Sequence, residues 1–181
     1  MLDADRMSVE EFFAWHQHVE GRYELVEGRI VPHPDYVTPE GLAAPSNEHA
    51  AILANLALTL GSKLQPPCRI FIGAGAAVDR ITANIPDLSV SCDPSDLAGS
   101  VLKRPRFVFE VLSPKSKRID LFGRKVLEYL AIPSLDAYVV VDGEHRSVTV
   151  YRPDAGAQTY GAEETVALSA DLELTVAELF A

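Results

Sequence analysis

The stretch Phe107-Val108-Phe109-Glu110-Val111-Leu112-Ser113-Pro114 places a single carboxylate inside an otherwise apolar run. Aromatic and β-branched residues predict a strand, and Ser113-Pro114 predicts its end. A buried carboxylate needs a cation, a set of hydrogen bonds or exposure at the strand end, because an uncompensated charge in the interior is costly. Glu110 is therefore the first candidate functional residue, with exposure on a solvent face as the alternative.

Patterns around this strand predict further helices and strands. Helices are predicted at about residues 8–17, 46–63 and 120–131, where apolar residues recur at helical spacing, and Thr175 can cap a short C-terminal helix. Strands are predicted over residues 23–26, 29–31, 69–72, 76–80, 87–91, 107–112, 137–141, 148–151 and 165–168, with a loop over 32–45. This order predicts an α/β fold with helices packed against a mixed β-sheet and with extra β-hairpin strands.

Length and composition fit one compact domain. The chain has 181 residues, of which 48% are apolar, so a single domain over residues 1–181 with a buried core is expected. No apolar run approaches the roughly 20 residues that cross a bilayer, and the N-terminus lacks a signal-peptide pattern. We therefore expect a cytoplasmic protein with no membrane partner, in which Cys68 and Cys92 are free thiols.

Charge is distributed unevenly along the chain. The net charge is −10, which by itself argues against a nucleic-acid-binding protein. Residues 103–125, however, hold eight basic and two acidic residues, a local charge of +6 that leaves −16 for the rest. Such a segment could steer a phosphate backbone to one place, or it could be an ordinary solvated loop.

Asp87 and Glu110 form a candidate metal site. Asp87 follows Ile85-Pro86 at the start of one predicted strand, and Glu110 lies on the next long one. Two neighbouring carboxylates suit Mg²⁺ or Mn²⁺, and the backbone carbonyl of Val111 could add a third oxygen. Lys125, in the following helix, could orient the attacking water or stabilise charge on a reacting phosphate, or it could be a surface lysine paired with a nearby carboxylate.

These pieces occur in an order that resembles a known family. The order is Tyr23-Glu24-Leu25-Val26-Glu27-Gly28-Arg29-Ile30, His49 on a helix, Pro86-Asp87-Leu88, Glu110-Val111-Leu112-Ser113-Pro114, and then Asp120 and Lys125 before Tyr129. It is similar to the Uma family of restriction-endonuclease-like proteins, in the PD-(D/E)xK nuclease superfamily, over residues 8–180. The resemblance implies a restriction-endonuclease-like sheet flanked by helices.

The resemblance also implies roles for residues of this chain. Asp87 and Glu110 would bind the metal, Lys125 would be the catalytic lysine, and Glu24 would be a further ligand or a general base. His49 would contact phosphate or metal-bound water. The superfamily pattern expects lysine two residues after Glu110, where this chain has Leu112, so Lys125 must reach back into the site.

Two functions remain open at this point. The first is a Mg²⁺-dependent endonuclease, with Mn²⁺ as a possible substitute, that hydrolyses DNA as a homodimer. Lys115, Lys117 and Arg118 would then contact backbone phosphates, and Lys115 and Lys117 would compete with Lys125 for the catalytic role. The second is a non-catalytic binding or assembly module on the same fold, which the −16 outside the basic segment favours.

Overall fold

The computed structural model describes residues 6–33, 37–38, 41–42, 46–112 and 119–181. Its three α-helices are α1 (Val9–His16), α2 (Asn47–Lys63) and α3 (Ile119–Leu130), with 3₁₀ turns at Pro94–Ala98 and Val176–Phe180. The strands are β1 (Tyr23–Val26), β2 (Arg29–Pro32), β3 (Val37–Thr38), β4 (Gly41–Leu42), β5 (Arg69–Ile72), β6 (Gly75–Ala77), β7 (Ala83–Asn84), β8 (Leu88–Ser91), β9 (Val101–Leu102), β10 (Pro105–Leu112), β11 (Ala137–Asp142), β12 (Ser147–Arg152), β13 (Gly156–Tyr160), β14 (Thr165–Ser169) and β15 (Leu172–Thr175).

The strands form two main sheets. A six-stranded sheet has the order β13-β12-β11-β10-β8-β5, in which β10 and β11 are parallel and the other pairs are antiparallel. A five-stranded sheet has the order β2-β1-β7-β6-β9. The predicted mixed sheet and its hairpins are therefore present, but the sequence patterns did not separate two sheets.

Alternation along β10 directs its side chains to opposite faces of the six-stranded sheet. Phe107, Phe109 and Val111 pack in a core with α2. Val108 packs with Tyr129 and other apolar residues on the α3 side. Glu110 has the same parity as Val108, so its carboxylate is directed towards α3 rather than towards solvent.

The five-stranded sheet brings β1 to the same region. Val9, Phe12 and Phe13 of α1 pack against Leu25 of β1 in a separate core. Since Leu25 faces α1, its neighbour Glu24 points to the other face of β1. At Gly75 an added Cβ would lie 2.0 Å from the Phe13 ring, so only glycine allows α1 to approach this closely.

Helix ends follow the predicted capping residues. Ser8 and Glu11 form a capping box at α1, and the Ser46 side chain accepts a hydrogen bond from the His49 N–H at α2. The predicted C-terminal helix after Thr175 is a 3₁₀ turn, and strands β3 and β4 lie within the predicted loop over 32–45.

The cysteine prediction was wrong. Cys68 and Cys92 form a disulfide that joins the start of β5 to the end of β8. The two strands are antiparallel with Arg69 opposite Ser91, so the flanking cysteines are cross-strand neighbours. Within the described residues no helix is long and apolar enough to span a membrane.

Helix α2 supplies a matched pair of leucines for testing this packing. Leu56 is fully buried against the six-stranded sheet, whereas Leu58 is 72% exposed. We expect Leu56→Ala to lower the free energy of unfolding by about 2–5 kcal/mol, because it removes buried methyl groups and leaves a cavity. Leu58→Ala should change it by less than about 0.5 kcal/mol. Urea unfolding followed by circular dichroism measures both, and equal losses would contradict this orientation of α2.

Candidate functional site

Strand register places Asp87 beside Glu110. β8 runs antiparallel to β10 with Leu88 opposite Phe109, so Asp87 and Glu110 occupy the next position along the two strands. Both residues are 8% exposed. The backbone N–H of Val111 donates a 2.8 Å hydrogen bond to Asp87 Oδ2, which orients that carboxylate across the strand pair.

Glu110 is held from the other side by α3. Lys125 Nζ donates to Glu110 Oε1 at 2.7 Å, and the Tyr129 hydroxyl donates to the same oxygen at 3.2 Å. Residues four apart lie on one face of a helix, so α3 presents the ammonium and the phenol together. Lys125 is 6% exposed, and it is not the surface lysine of the alternative interpretation.

Glu24 joins the same network from the second sheet. Glu24 is fully buried. Its Oε1 lies 3.0 Å from Lys125 Nζ, and its Oε2 accepts a 2.8 Å hydrogen bond from Arg124 Nη2. Arg124 also binds Glu128 of its own helix at 2.6 Å. Buried His33 lies 3.6 Å from Glu24. Lys125 therefore connects β1 of one sheet with β10 of the other, and Arg124 adds a second contact from α3 to β1.

The electrostatics follow from burial of several like charges. Burial raises the pKa of Glu110 to about 7, assisted by the nearby Asp87 and Glu24 carboxylates and only partly offset by Lys125. Burial alone would lower the pKa of Lys125, but the attraction of the Glu110 and Glu24 carboxylates is larger. The pKa of Lys125 is therefore raised, and the ammonium stays protonated. For Glu24, burial is likewise outweighed by Lys125, His33 and Arg124, and its pKa is lowered.

Asp87 is stabilised in its charged form by different partners. His49 Nε2 lies 3.2 Å from Asp87 Oδ2, and α2 positions this histidine at the start of β8. Burial alone would raise the pKa of Asp87, but the His49 contact and the Val111 N–H lower it overall.

The structure therefore brings together Glu24, His49, Asp87, Glu110 and Lys125.

The basic segment divides into parts with different surroundings. Lys103 pairs with Glu10 at 3.3 Å, Arg104 with Asp93 at 3.4 Å, and Arg106 with Asp136 at 2.6 Å. These three lie at the opposite end of β10 from the site, since Arg106 precedes Glu110 by four residues, or about 13 Å of strand. Lys115, Lys117 and Arg118 lie outside the described residues.

The family of the chain follows from comparison with known proteins. A family model described as "Putative restriction endonuclease", Uma2, matches residues 9–180. The chain belongs to the Uma2 family. The resemblance drawn from Glu110-Val111-Leu112-Ser113-Pro114 and its companion motifs is thereby confirmed.

Two relatives extend the comparison. An uncharacterized protein of Synechocystis sp. is 26% identical over 152 residues, which cover 81% of this chain and 74% of that protein. The crystal structure of a putative nuclease belonging to DUF820 from Anabaena variabilis superposes with a TM-score of 0.73 at 20% identity, over 96% of this chain and 97% of the other. This likeness confirms the predicted restriction-endonuclease-like fold.

The lysine that contacts Glu110 lies on helix α3. Leu112 occupies the superfamily's lysine position, and there it packs with the apolar residues on the α3 side of the sheet. Lys125 nevertheless reaches Glu110 at 2.7 Å. Lys125 therefore extends far enough from α3 to contact Glu110, as the sequence spacing required. Leu112 packs in the core.

Several members of the network were missed from the sequence. Tyr129 follows Lys125 by four residues, a spacing that predicts a shared helix face, but its bond to Glu110 requires the docked helix. The sequence indicated Arg124 only as part of the basic segment, and the structure pairs it with Glu128 of the same helix. Buried Asn84 of β7 donates to Glu128 at 2.8 Å, and no local pattern indicates that contact.

A second group of potential ligands lies nearby on the surface. Asp142, Glu144 and His145, in the turn between β11 and β12, bring one ligand atom each within 4.8 Å of one another. The end of β11 adjoins the end of β10, with Asp142 opposite Leu112. Glu144 and His145 are exposed, and His145 Nδ1 lies 2.8 Å from Asp142 Oδ2.

The raised pKa of Glu110 predicts a pH dependence for the metal-free protein. The folded state holds this proton up to about pH 7, whereas the unfolded chain releases it near the ordinary glutamate pKa of 4.5. The free energy of unfolding should therefore fall, by about 3 kcal/mol, as the pH rises through this window. Glu110→Gln cannot titrate and should lose this component.

Urea titrations of both proteins in a chelator, from pH 4.5 to 7.5, measure the difference. A wild-type minus Glu110→Gln difference that is flat with pH would contradict the raised pKa. Every other side chain is the same in both proteins, so its contribution to the pH dependence largely cancels in this comparison.

Proposed function

We propose that this chain is a divalent-metal-dependent endonuclease that hydrolyses DNA phosphodiester bonds, with Mg²⁺ as its ion and Mn²⁺ as a substitute. The observation that carries the proposal is the convergence of the Asp87 and Glu110 carboxylates with the Lys125 ammonium at one end of the six-stranded sheet. Membership of a family described as restriction endonucleases supports the same chemistry.

The residues fit a hard divalent cation. Glu24, Asp87, Glu110 and Glu128 are four carboxylates held near two permanent cations, Arg124 and Lys125. The pKa of Glu110 stays raised because this positive charge does not offset its burial. A bound divalent ion would add the positive charge needed to keep Glu110 ionised. Carboxylate oxygens are also the ligands that Mg²⁺ and Mn²⁺ prefer.

The hydrogen bonds indicate which oxygens would hold the ion. Lys125 and Tyr129 both bind Oε1 of Glu110, which leaves Oε2 as the oxygen that we assign to the metal. Val111 N–H and His49 both contact Oδ2 of Asp87, so we assign Oδ1. Val111 contributes its amide N–H to this arrangement, and a ligand role for its carbonyl stays a prediction. A bound ion would neutralise developing phosphate charge and lower the pKa of the attacking water.

Lys125 is assigned to the reacting phosphate. Its ammonium has three N–H donors, of which one donates to Glu110, while Glu24 Oε1 lies 3.0 Å from Nζ as an ion pair. A remaining N–H can donate to a phosphate oxygen or to the attacking water, where a fixed positive charge stabilises the transition state. Glu24 then acts by holding the lysine, and this geometry favours that role over those of ligand or general base.

The remaining residues are assigned to substrate binding and positioning. His49 contacts Asp87 and stands at the site opening, where it can hold the carboxylate or meet a phosphate. Lys115, Lys117 and Arg118 fall between β10 and α3 in the chain, and we assign them to backbone phosphates. A homodimer is part of the proposal because each chain supplies one site and cutting both strands of a duplex needs two. A cytoplasmic location stays a prediction, and the Cys68–Cys92 disulfide counts against it because disulfides are rare in that compartment.

One observation favours the non-catalytic alternative. Lys103, Arg104 and Arg106 are each paired with carboxylates away from the site, so they add little to a DNA-binding surface there. A binding module would keep the fold and the buried ion pairs without metal affinity or turnover. Both properties are measured in the experiments that follow.

Asp87→Asn tests the metal site while keeping the shape of the side chain. We expect it to weaken Mn²⁺ binding by at least about tenfold and to lower Mg²⁺-dependent cleavage of supercoiled and single-stranded DNA by about 100-fold or more. Asp154→Asn is the control, because Asp154 is exposed in the β12–β13 turn at the far end of the sheet. Calorimetry and a gel assay give the two readouts.

Wild-type cleavage by Asp87→Asn would remove Asp87 from the site. Wild-type protein that neither binds Mn²⁺ nor cleaves DNA would favour the binding module instead.

Lys125→Arg tests the lysine without removing the charge that compensates Glu110 and Glu24. The guanidinium is a rigid planar fork, so its donors lie elsewhere than the ammonium. Turnover should drop by about 100-fold, while Mn²⁺ affinity changes little, because Lys125 is not a ligand. Lys115→Arg should retain wild-type turnover. The reverse pattern would assign the catalytic role to the 113–118 segment.

A further inference from the structure

A cavity of about 270 Å³ opens beside Asp87, between α2 and the edge strand β5. Its polar lining includes Arg22, His49 and Asp87, and its apolar lining includes Leu53, Ala54 and Ile72. Ile72 is 60% exposed although it is large and apolar. Together with Leu53 and Ala54, this side chain gives the cavity an apolar wall beside the candidate site.

Gly73 allows Arg22 to reach this cavity. The residue has φ +61°, and a Cβ added there would lie 2.5 Å from Arg22 Nη2. The guanidinium therefore lies against the bare backbone of Gly73, whose N–H donates to the Asp87 carbonyl at 2.9 Å. The sequence of the turn after β5 thus brings a permanent cation to the region of the metal site.

Resting on the nuclease function above, we propose that this cleft binds the unpaired nucleoside next to the reacting phosphate, so that the substrate is a nucleic-acid strand with an unpaired base. Arg22 binds the phosphate adjoining that nucleoside, and the base lies between Leu53, Ala54 and Ile72. Asp87, one of the two carboxylates assigned to the metal, is part of the cavity lining, so a bound nucleoside lies next to that residue.

Negative charge on the other side of His49 indicates in which direction the nucleic-acid strand leaves the site. There a cavity of about 40 Å³ is lined by Glu48, Asp142 and Glu144, among other residues. Carboxylates repel phosphates, whereas the guanidinium of Arg22 pairs with them. The strand therefore extends from the site towards Arg22 and β5 rather than towards the β11–β12 turn.

The size of the cleft favours an unpaired base. Its volume lies just below the roughly 300–1,000 Å³ of pockets that hold drug-sized ligands, which suits one nucleoside and not a base pair. A base held between apolar side chains must leave its stack, and this costs least for single strands, ends and mismatches. A chain of net charge −10 also favours a short contact over a long duplex footprint.

Two alanines of α2 provide a matched test. Ala54 lines the cleft, whereas Ala51 is an exposed alanine on the same helix outside that lining. Leucine is a good helix former, so Ala54→Leu fills the cleft and Ala51→Leu serves as the control. Arg22→Gln removes the cation. Fluorescence anisotropy at fixed salt with Mn²⁺ measures binding of a nuclease-resistant phosphorothioate oligothymidine and of a phosphorothioate hairpin duplex.

We expect the wild type to bind the single strand about tenfold more tightly than the duplex, and Ala54→Leu and Arg22→Gln each to weaken single-strand binding by about tenfold. Ala51→Leu should bind like the wild type. Equal affinity for strand and duplex, no binding of either, or an Ala54→Leu affinity equal to that of Ala51→Leu would each overturn the inference.

Cleavage of ordinary DNA by the same preparations separates the two proposals. Wild-type cleavage together with unchanged strand binding in Ala54→Leu overturns the cleft and leaves the nuclease function standing. Strand binding that depends on Ala54 and Arg22, without any metal-dependent cleavage, supports the cleft as a binding site and overturns hydrolysis.

Discussion

The buried contact of Lys125 with Glu110 and Glu24 is the interaction on which the site depends. It connects β10 of the six-stranded sheet, β1 of the five-stranded sheet and α3. Removing one member of a buried ion pair leaves an uncompensated charge and costs about 3–5 kcal/mol. The same charges that connect the two sheets therefore also form the proposed site, so a substitution that changes the proposed activity is expected to change stability as well.

Much of the fold could be predicted from local patterns. The apolar run around Glu110 and the capping residues Ser8 and Ser46 act over a few residues, so they indicated β10, α1 and α2 directly. Asp87 could be placed near Glu110 because consecutive long strands often pair. The weak strands β7 and β9 have two residues each, too few for a periodic signal, and with them the second sheet was missed.

The details of the site could not be predicted because they depend on tertiary packing. Glu24 stands in a strand that alternates like a surface strand, and its burial follows only from the docking of α3 across it. Arg106 was counted as available positive charge, yet its partners Asp136 and Asp171 lie 30 and 65 residues away in the chain. Net charge over a segment therefore overstated the charge available to a ligand.

The wide separation of the site residues in the chain has a consequence for folding. Arg124 and Glu24 are 100 residues apart, and Val111 and Asp87 are 24 apart. Closing such loops costs entropy that is recovered only when the long-range contacts form, which slows folding. The candidate site of Glu24, Asp87, Glu110 and Lys125 therefore cannot assemble in a chain still emerging from the ribosome before α3 has been made, and a partly folded intermediate would lack it.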